Sequence, residues 1–344
     1  MKNTMNKKMK TMLMAMVMVI MAFALTACGG DTAAEGEGEG EAAADSVTVG
    51  VIQYAPHPSL DNCYEGFIAG LAEAGYVEGE NLTIDLQNAQ GEATNADMQA
   101  KNMVTSQYDM ICAIATPAAM SAYSATKDSE IPVIFSAVSD PLSAGIVKSL
   151  EAPETNCTGT SDALNLEGQL ALIRAFLPEA DTIGIIYTTS EPNSVSHLEK
   201  IEALAGDYGF KIEAVGIANS SEVETAAATL ISKGVDCFNN FTDNNVVNNL
   251  SVLVHAADEA GIPVFGSEEE QVVNGCLASE TLDYFELGKI TGQMVAKVLK
   301  GEATPADLAV SIVSESQPVY NQAVLEKLNL TLPEDYADAT NVAE

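Results

Sequence analysis

From Ser46 onward, short apolar runs alternate with segments in which apolar residues recur at helical spacing. The first run, Val47–Ile52, is almost continuously apolar, which is typical of a strand buried on both faces of a parallel sheet. The spacing after it predicts a helix over Leu60–Gly75. The same alternation predicts strands at Leu82–Leu86, Met110–Ala115 and Val133–Ala137, and helices at Thr94–Gln107 and Pro117–Thr126.

A second series begins near Cys157. Strands that are separated by helices of about ten residues or more form right-handed βαβ units. The whole pattern therefore predicts an α/β fold with two similar lobes, each a parallel sheet covered by helices on both faces. The predicted strands of this series are Ile183–Tyr187, Lys211–Gly216, Asp236–Phe238, Ile262–Phe265 and Leu308–Val313, and the helices are Leu166–Leu177, Ser194–Tyr208, Ser221–Lys233, Asp243–Ala260 and Tyr284–Leu299.

The first 27 residues have the layout of a secretory signal peptide. Four lysines accompany an uncharged apolar run, Met12–Leu25, which is shorter than the roughly 20 residues of a membrane-spanning helix. The run ends in L-T-A-C-G at positions 25–29, which resembles the lipobox of bacterial lipoproteins. We expect residues 1–27 to be removed and Cys28 to carry a lipid. The alternative is an ordinary signal peptide with an incidental cysteine.

Residues 28–45 are rich in glycine, alanine and glutamate and contain no branched apolar or aromatic side chain. Such a segment cannot bury enough surface to offset its ordering entropy. We therefore predict a disordered, acidic tether that holds the folded part near the membrane but away from its surface.

Charge and cysteine content narrow the possible partners. The chain carries 15 basic and 49 acidic residues, a formal charge of −34, and loss of the signal lysines makes it more negative. This charge disfavours nucleic acid and anionic lipid, so membrane contact is expected only through the lipid anchor. Five cysteines remain besides Cys28, an odd number without a C-x-x-C pair. We predict buried free thiols, with a disulfide as the alternative.

Ligands of open parallel sheets bind at the carboxyl ends of the strands. The loops predicted there contain no lysine or arginine, although they hold several acids. A cleft of this kind should reject purely anionic ligands and accept one that carries an ammonium group. The loops are Gln53–Asn62, Thr116–Ala119, Ser136–Gly145, Thr160–Asn165, Thr188–His197, Phe241–Asn245 and Gly266–Gln271.

Several of these acids also have structural explanations. Glu270 completes an S-x-x-E capping box with Ser267, and Asp140 before a proline is typical of a turn. Asp243 is equally suited to capping its helix and to contacting a ligand. Asp162 lies where the chain is expected to cross between lobes, so hinge and ligand roles both fit it.

A ligand carboxylate would need a partner other than a cation. Thr116-Pro117 predicts a helix start with Thr116 as the N-cap, where free backbone N–H groups bind anions. Ser136 to Ser139 offer hydroxyl groups nearby. Rings near the strand ends make a flat apolar ligand side chain plausible: Tyr54, His57, Phe135, Tyr187, Phe241 and Tyr284.

Several blocks, in order, resemble the ABC-transporter substrate-binding family, with the closest likeness to its tryptophan- and tyrosine-binding lipoproteins. The resemblance covers nearly all of residues 46–332. The blocks are VGVIQYAPHPSLD (49–61), LQNAQG (86–91), ATPAA (115–119), FSAVSDPLSAG (135–145), TGTSD (158–162), IGIIYTTSEPNS (183–194), TDNN (242–245) and YFELGKITG (284–292).

The resemblance implies a type I periplasmic-binding-protein fold, two Rossmann-like lobes hinged by three crossings near residues 159, 283 and 312. Lobe 1 would then comprise residues 46–158 and 283–311, lobe 2 would comprise 159–282 and 312–333, and 334–344 would be a C-terminal tail. It also implies no cofactor, no metal and no catalysis, a monomer, and ABC permease subunits as partners.

The same resemblance implies a zwitterionic amino acid as ligand, of which tyrosine, tryptophan and phenylalanine remain open. First-lobe groups, here Thr116 and Ser136, would hold the carboxylate. Asp243, with Asp162 as the next candidate, would meet the ammonium group. The full set of candidate ligand-binding residues is Gln53, His57, Thr116, Pro117, Ser136, Val138, Asp162, Asn193, Asp243, Asn244, Glu268 and Tyr284.

Three other functions compete with import of an amino acid. An enzyme is disfavoured because the chain lacks G-x-G-x-x-G after the first strand, G-K-[ST], G-x-S-x-G and H-E-x-x-H, and its three histidines lack metal spacing. A surface sensor that passes ligand information to a signalling partner would have the same sequence features. A binder of a sugar or another neutral molecule would use aspartate, asparagine and rings equally well.

The lipid anchor gives the first testable prediction. Replacing Cys28 by serine removes the thiol that is acylated, so the Cys28→Ser protein should be released from the membrane or accumulate as unprocessed precursor. Metabolic labelling with a radioactive fatty acid measures this directly. Label that persists on the Cys28→Ser protein would show that the lipid is attached elsewhere.

Overall fold

The computed structural model of the protein describes residues 46–343. The predicted signal peptide (1–27), Cys28 and the predicted tether (28–45) lie outside these residues. Within 46–343, no helix is both long enough and apolar enough to cross a bilayer.

The first lobe contains a six-stranded parallel sheet in the order β11-β5-β4-β3-β1-β2. Its central strands, MICAI and VIFS, are apolar except for Ser136 and fully buried, because helices cover both faces. The strands are β1 (Val47–Gln53), β2 (Leu82–Asn88), β3 (Met110–Ile114), β4 (Val133–Ser136), β5 (Cys157–Ser161) and β11 (Ser311–Ile312), and the helices are α1 (Pro58–Glu73), α2 (Ala93–Thr105), α3 (Thr116–Thr126) and α10 (Tyr284–Leu299).

The second lobe contains a four-stranded parallel sheet in the order β7-β6-β8-β9. The predicted helix Asp243–Ala260 is two helices, which are separated at Asn248 and Asn249. The strands are β6 (Thr182–Thr188), β7 (Lys211–Ile217), β8 (Cys237–Asn239) and β9 (Val264–Phe265), and the helices are α4 (Leu166–Phe176), α5 (Pro192–Ala205), α6 (Val223–Lys233), α7 (Asn244–Val247), α8 (Leu250–Ala260) and α9 (Glu269–Val273).

A third, three-stranded sheet extends the second lobe. It joins β10 (Ala278–Thr281), β12 (Gln317–Tyr320) and β13 (Thr340–Asn341), and the β10–β12 pair is antiparallel. The helix α11 (Gln322–Lys327) follows β12, and its Leu325 enters the second core. The sequence places residues 334–344 in a tail, but within this segment β13 is part of the sheet, and Tyr336 and Val342 pack against the core.

The described residues form two lobes, because their buried side chains form separate cores. The first core takes side chains from residues 49–157 and 282–310, and the second takes them from 166–278 and 319–325. The backbone therefore passes between the lobes three times, after β5, after β10 and after β11. The predicted α/β fold with parallel sheets in two lobes is confirmed.

The five cysteines of the described residues are all buried and unpaired, as predicted. Cys63, Cys112 and Cys157 belong to the first core, and Cys237 and Cys276 belong to the second. Burial raises the pKa of each of these thiols above its ordinary value. They behave as small apolar side chains.

Four glycines let α1 and α10 approach each other closely in the first lobe. Gly66 and Gly70 lie on α1, and Gly288 and Gly292 lie opposite on α10. A Cβ atom on any of the four would collide with backbone atoms of the other helix, including the carbonyl oxygens of Cys63 and Phe285. We call these four residues the glycine seam. It fixes the amino-terminal ends of both helices, which face the interlobe cleft.

The seam predicts a large effect for a very small substitution. Gly288→Ala should destabilise the protein by about 1–3 kcal/mol, since the added methyl group overlaps a backbone that cannot rotate away. Urea denaturation measures the change. Gly206→Ala is the matched control, because a Cβ atom at Gly206 meets no neighbour within 4 Å and Gly206 has helical backbone angles. Equal stability of the two variants would contradict the role of the seam.

Candidate functional site

A buried cavity lies between the lobes, where the carboxyl ends of the parallel strands meet the first turns of the helices. It encloses about 20 Å³, enough for a water molecule but not for a metabolite. A ligand of ordinary size therefore requires that the lobes separate. The wall of the cavity is formed by His57, Leu60, Ala115, Thr116, Ala137, Ser139, Asp162, Asn193, Thr242, Asn244, Val247, Glu268 and Tyr284.

Two strained backbone positions shape the first-lobe wall. Ala115 after β3 has φ = 80°, and Ala137 after β4 has φ = 55°, a left-handed region that side-chain-bearing residues rarely adopt. Both residues line the cavity. The sharp turn at Ala115 means that Ala115, and not Thr116 as predicted, is the N-cap of α3. Strained backbone positions of this kind cluster at binding sites, where the surrounding structure holds them in place.

The turn at Ala115 leaves hydrogen-bond donors free at the start of α3. The N–H of Ala115 donates to the Ser136 carbonyl, and the N–H of Ala119 donates back to Ala115. The N–H groups of Thr116 and Ala118, in the first turn, have no protein acceptor among residues 46–343. Free N–H groups at the positive end of an eleven-residue helix form an anion-binding site.

Asp162, which directly follows β5 of the first-lobe sheet, supplies a free acceptor to the cavity wall. Its Oδ2 accepts a hydrogen bond from the Tyr284 hydroxyl at 2.9 Å, whereas its buried Oδ1 has no partner. Burial raises the pKa of Asp162 above its ordinary value, although hydrogen bonds from the side chains of Tyr284 and Ser139 oppose this effect. The carboxyl group is therefore poised to bind a cation, which would restore the charge that burial disfavours.

Two asparagines of the second lobe are oriented by a buried carboxylate behind them. Glu191 accepts hydrogen bonds from the side-chain amides of Asn193 (3.4 Å) and Asn244 (2.7 Å) and from the Asn244 N–H (3.2 Å). Asn193 also donates to the Thr242 carbonyl. With its amide nitrogen engaged, Asn193 has a buried, unpartnered Oδ1. Asn193 thus adds a second free acceptor to the cavity wall.

Glu268 completes the acidic side of the cavity. Its side chain is buried, and one carboxylate oxygen accepts a hydrogen bond from Gln271 at 3.0 Å. The predicted capping box is wrong, because Glu268 is itself the N-cap of α9 and the Ser267 hydroxyl donates to the Asn240 carbonyl. Glu270 instead accepts a hydrogen bond from Asn62 of α1 at 2.9 Å.

Asp243, the expected partner of a ligand ammonium, is a helix cap in the structure. Its carboxylate accepts hydrogen bonds from the N–H and hydroxyl of Thr188, the Ser194 hydroxyl and the Val246 N–H, at 2.5–3.1 Å. A carboxylate has about four acceptor sites, so the second lobe itself occupies all of them. Asp243 is also absent from the cavity wall. Of its two predicted roles, the geometry supports the cap.

Four other candidates lie behind the wall. Gln53 donates to the Ala55 carbonyl and to Asp61, and Pro117 occupies the first turn of α3. Val138 is fully buried in the first core. Ser136 belongs to a buried network with Thr160 and Thr291 that ties β4 and β5 to α10. These residues shape the site without contacting its interior.

The structure thus brings seven of the twelve candidates together on the cavity wall and leaves Gln53, Pro117, Ser136, Val138 and Asp243 outside it. Among the rings, His57 and Tyr284 line the cavity, while Tyr54, Phe135, Tyr187 and Phe241 pack in the cores. The candidate set omitted Leu60, Ala115, Ala137, Ser139, Thr242 and Val247, of which only Ser139 and Thr242 carry a polar side chain that could have been chosen from the sequence.

The wall of the cavity carries free hydrogen-bond donors at the start of α3 and free acceptors on Asp162 and Asn193. No lysine or arginine lines the cavity. Within residues 46–343, no group of three or more histidine, cysteine, aspartate or glutamate side chains is arranged to hold a metal ion.

Two lobes with a ligand cavity between them define the class of periplasmic-type binding proteins. Residues 48–342 match the family described as ABC transporter substrate binding protein, and the chain belongs to this family. It is the extracytoplasmic, substrate-binding component of an ABC transporter. The predicted family is confirmed.

A relative described as a tyrosine-binding protein, from Clostridioides difficile, is 39% identical over 82% of this chain and 81% of its own length. Among solved structures, a domain from Streptococcus pneumoniae in complex with L-Trp is 35% identical, with a TM-score of 0.82. A ligand-free, open structure of a substrate-binding protein with adhesive properties from Clostridium difficile is 36% identical, with a TM-score of 0.66. Both structures cover 86% of this chain and 99% of their own.

The two solved neighbours differ in how well they superpose on the present structure. Identity and coverage are nearly equal for the two, so sequence divergence does not explain the difference in TM-score. The present structure superposes more closely on the L-Trp complex than on the open form.

The buried acids of the second lobe predict how stability depends on pH. Burial and the nearby Asp243 raise the pKa of Glu191 above its ordinary value, although hydrogen bonds from Asn244 and Asn193 oppose them. An acid whose pKa is higher in the folded than in the unfolded protein holds its proton more tightly in the folded state. Its contribution to stability is complete below the pKa of the unfolded protein and is lost as the pH rises through the pKa of the folded protein. We expect the free energy of unfolding to fall from mildly acidic to mildly alkaline pH. Glu191→Gln should flatten this dependence in urea titrations, and an unchanged slope would contradict the assignment.

Proposed function

We propose that this protein captures an L-amino acid with an aromatic side chain, most simply tyrosine or tryptophan, for import by its ABC transporter. The observation that carries the proposal is the presence of free donors and free acceptors on the wall of one cavity. The N–H groups at the start of α3 and the acceptors of Asp162 and Asn193 lack protein partners among the described residues, and these residues line the same cavity. A zwitterion presents the complementary carboxylate and ammonium groups.

The ligand carboxylate is assigned to the first lobe. The N–H groups of Thr116 and Ala118 and the Thr116 hydroxyl supply donors, and the dipole of α3 favours a negative charge there. No basic side chain is required, which keeps the site closed to ligands that carry only negative charge.

The ligand ammonium is assigned to Asp162, with Asn193 and Glu268 beside it. Asp162 replaces Asp243 in this role because its Oδ1 is free, whereas all acceptor sites of Asp243 are occupied. An ammonium group that pairs with Asp162 would stabilise the carboxylate form, which burial alone disfavours.

The side chain of the ligand is assigned to the remaining wall. His57 and Tyr284 supply rings, and Leu60 and Val247 supply apolar surface. Flat ligands fit such a wall through ring stacking and edge contacts. The names of the relatives support the same class: one is described as tyrosine-binding, and another was solved with L-Trp.

We further propose that the mature protein is a monomer anchored through acylated Cys28. An extracytoplasmic position is a property of the family, whereas the anchor rests on the lipobox-like L-T-A-C-G alone. A lipid chain and a tether over residues 28–45 would keep the binding lobes beside the permease subunits that receive the ligand. Solved neighbours with bound myo-inositol, 5-methylthioribose or allitol are 13–15% identical and share the fold alone, so they do not favour a sugar ligand.

Ligand analogues test the zwitterion directly. N-acetyl-L-tyrosine lacks the ammonium and tyramine lacks the carboxylate, so each should bind about 30- to several-thousand-fold more weakly than L-tyrosine, as expected when one member of a desolvated charge pair is lost. Isothermal titration calorimetry measures the affinities, with myo-inositol as the neutral control. L-tryptophan can also be followed by its own fluorescence, since the protein contains no tryptophan. Equal binding of N-acetyl-L-tyrosine and L-tyrosine would exclude the zwitterion.

Substitution of Asp162 tests the assignment of the charge. Asp162→Asn keeps an oxygen for the Tyr284 hydroxyl but removes the charge, so it should weaken L-tyrosine much more than tyrosine analogues without an ammonium group. For the wild type, affinity should rise with pH through the raised pKa of Asp162, because only the carboxylate pairs with an ammonium. Glu268→Gln is the matched comparison. If it has the larger effect, Glu268 is the principal partner and Asp162 is not.

A further inference from the structure

One ion pair joins the two lobes directly. Asp140, in the segment after β4, accepts hydrogen bonds from the Lys200 ammonium at 2.8 Å and from the Ser196 hydroxyl at 2.5 Å. Asp140 lies between residues of the first core, whereas Ser196 and Lys200 lie on α5 of the second. The contact therefore crosses the cleft.

No other ion pair of residues 46–343 crosses in this way. Two of the remaining five join residues of the first lobe, and three join residues of the second. The protein has few basic side chains, and one of them, Lys200, bridges the two lobes. This position singles out Lys200 from the other lysines of the described residues.

Both sides of the ion pair are continuous with the wall of the ligand cavity. Asp140 directly follows Ser139, which lines the cavity. On α5, Ser196 and Lys200 lie three and seven residues after Asn193, which also lines the cavity, so all three share one helix face. A change in lobe separation at the ligand must therefore move the ion pair as well.

The acidic partner is also held by a hydrogen bond within its own lobe. The Asp140 side chain is only 13% exposed, and the Ser143 N–H donates to its Oδ1 at 3.0 Å. Burial alone would raise the pKa of Asp140, but the bonds from Lys200, Ser143 and Ser196 outweigh it and hold the pKa below its usual range. Lys200 is half exposed, so it remains within reach of solvent and salt.

We propose that Asp140, Ser196 and Lys200 form an interlobe latch that sets how tightly and how long the ligand is held, without touching the ligand. The latch can form only when the lobes are closed, so it stabilises the closed form relative to the open one. Ligand affinity contains the free energy of closure. Loss of the latch should therefore speed release of the ligand, while capture by the open form stays unchanged.

Lys200→Met tests the latch, because methionine keeps the apolar stem of lysine and removes its charge. Stopped-flow measurement with L-tyrosine should show release about 3- to 10-fold faster than in the wild type, the range of a charged hydrogen bond that is discounted for the exposure of Lys200. The association rate should not change. Raising the ionic strength should speed release from the wild type more than from Lys200→Met.

Lys233→Met is the matched control. Lys233 pairs with Glu213 at the same distance, 2.8 Å, and has similar exposure, but both residues lie in the second lobe. This variant should release L-tyrosine at the wild-type rate. Lys200→Arg, which retains the charge, should restore slow release. Wild-type release from Lys200→Met, or equal acceleration by Lys233→Met, would overturn the proposal.

The latch is separable from the identity of the ligand. If the wild type fails to bind L-tyrosine, the proposed ligand class is wrong, and amide hydrogen exchange of the ligand-free protein decides the latch. Faster exchange over residues 137–147 and α5 in Lys200→Met than in Lys233→Met would support it. Identical exchange in the two variants would overturn it.

Discussion

The structure of the cleft depends on how four buried carboxylates are stabilised without a basic partner. Asp162, Glu191, Asp243 and Glu268 are each no more than 3% exposed, and no lysine or arginine donates to any of them. Burial of a charge is costly unless hydrogen bonds or an opposite charge compensate for it. The protein compensates in different ways. Asp243 is saturated by donors of its own lobe, Glu191 orients two asparagines and takes up a proton more readily, and Asp162 keeps one oxygen free.

This difference is why Asp243 stabilises the second lobe, whereas Asp162 is the acid that we propose as the partner of the ligand. A carboxylate whose acceptor sites are all occupied cannot bind a ligand, even when it lies close to the cleft. A carboxylate with one free oxygen gains most when a cation arrives. The glycine seam helps to position Tyr284 for its hydrogen bond to Asp162. It holds α10 against α1, and Tyr284 is the first residue of α10.

Much of the fold could be predicted from the sequence because buried parallel strands are continuous apolar runs. MICAI is of this kind and VTVGVIQ nearly so, and their predicted bounds differ from the observed ones by one residue. The strands β5, β10, β12 and β13 were missed, since CTGTS, ASET, QPVY and TN are short and polar or contain proline. Their pairing depends on contacts that are distant along the chain. The ends of α3 and α9 were also misplaced, because tertiary contacts of Ala115 and Ser267 replaced the expected caps.

The candidate site could be predicted only to the level of its loops. Strand ends locate the loops, and the lack of basic residues there indicates the charge of the ligand. The sequence cannot show which acid is already hydrogen-bonded, so it favoured Asp243 over Asp162. It also could not identify Lys200, which lies two turns into a helix, beyond the loop that helps to line the cavity. Its partner Asp140 was interpreted as a turn residue, although the turn also places its carboxylate opposite Lys200.

The burial of the five thiols has a consequence for life outside the cytoplasm, where oxidants convert accessible cysteine pairs to disulfides. Each thiol is enclosed in a core, and burial keeps it protonated and unreactive. The folded protein therefore needs no reducing system, but an unfolded chain during export would expose all five at once. Because three thiols belong to one lobe and two to the other, their reactivity towards a thiol reagent reports separately on the opening of each lobe.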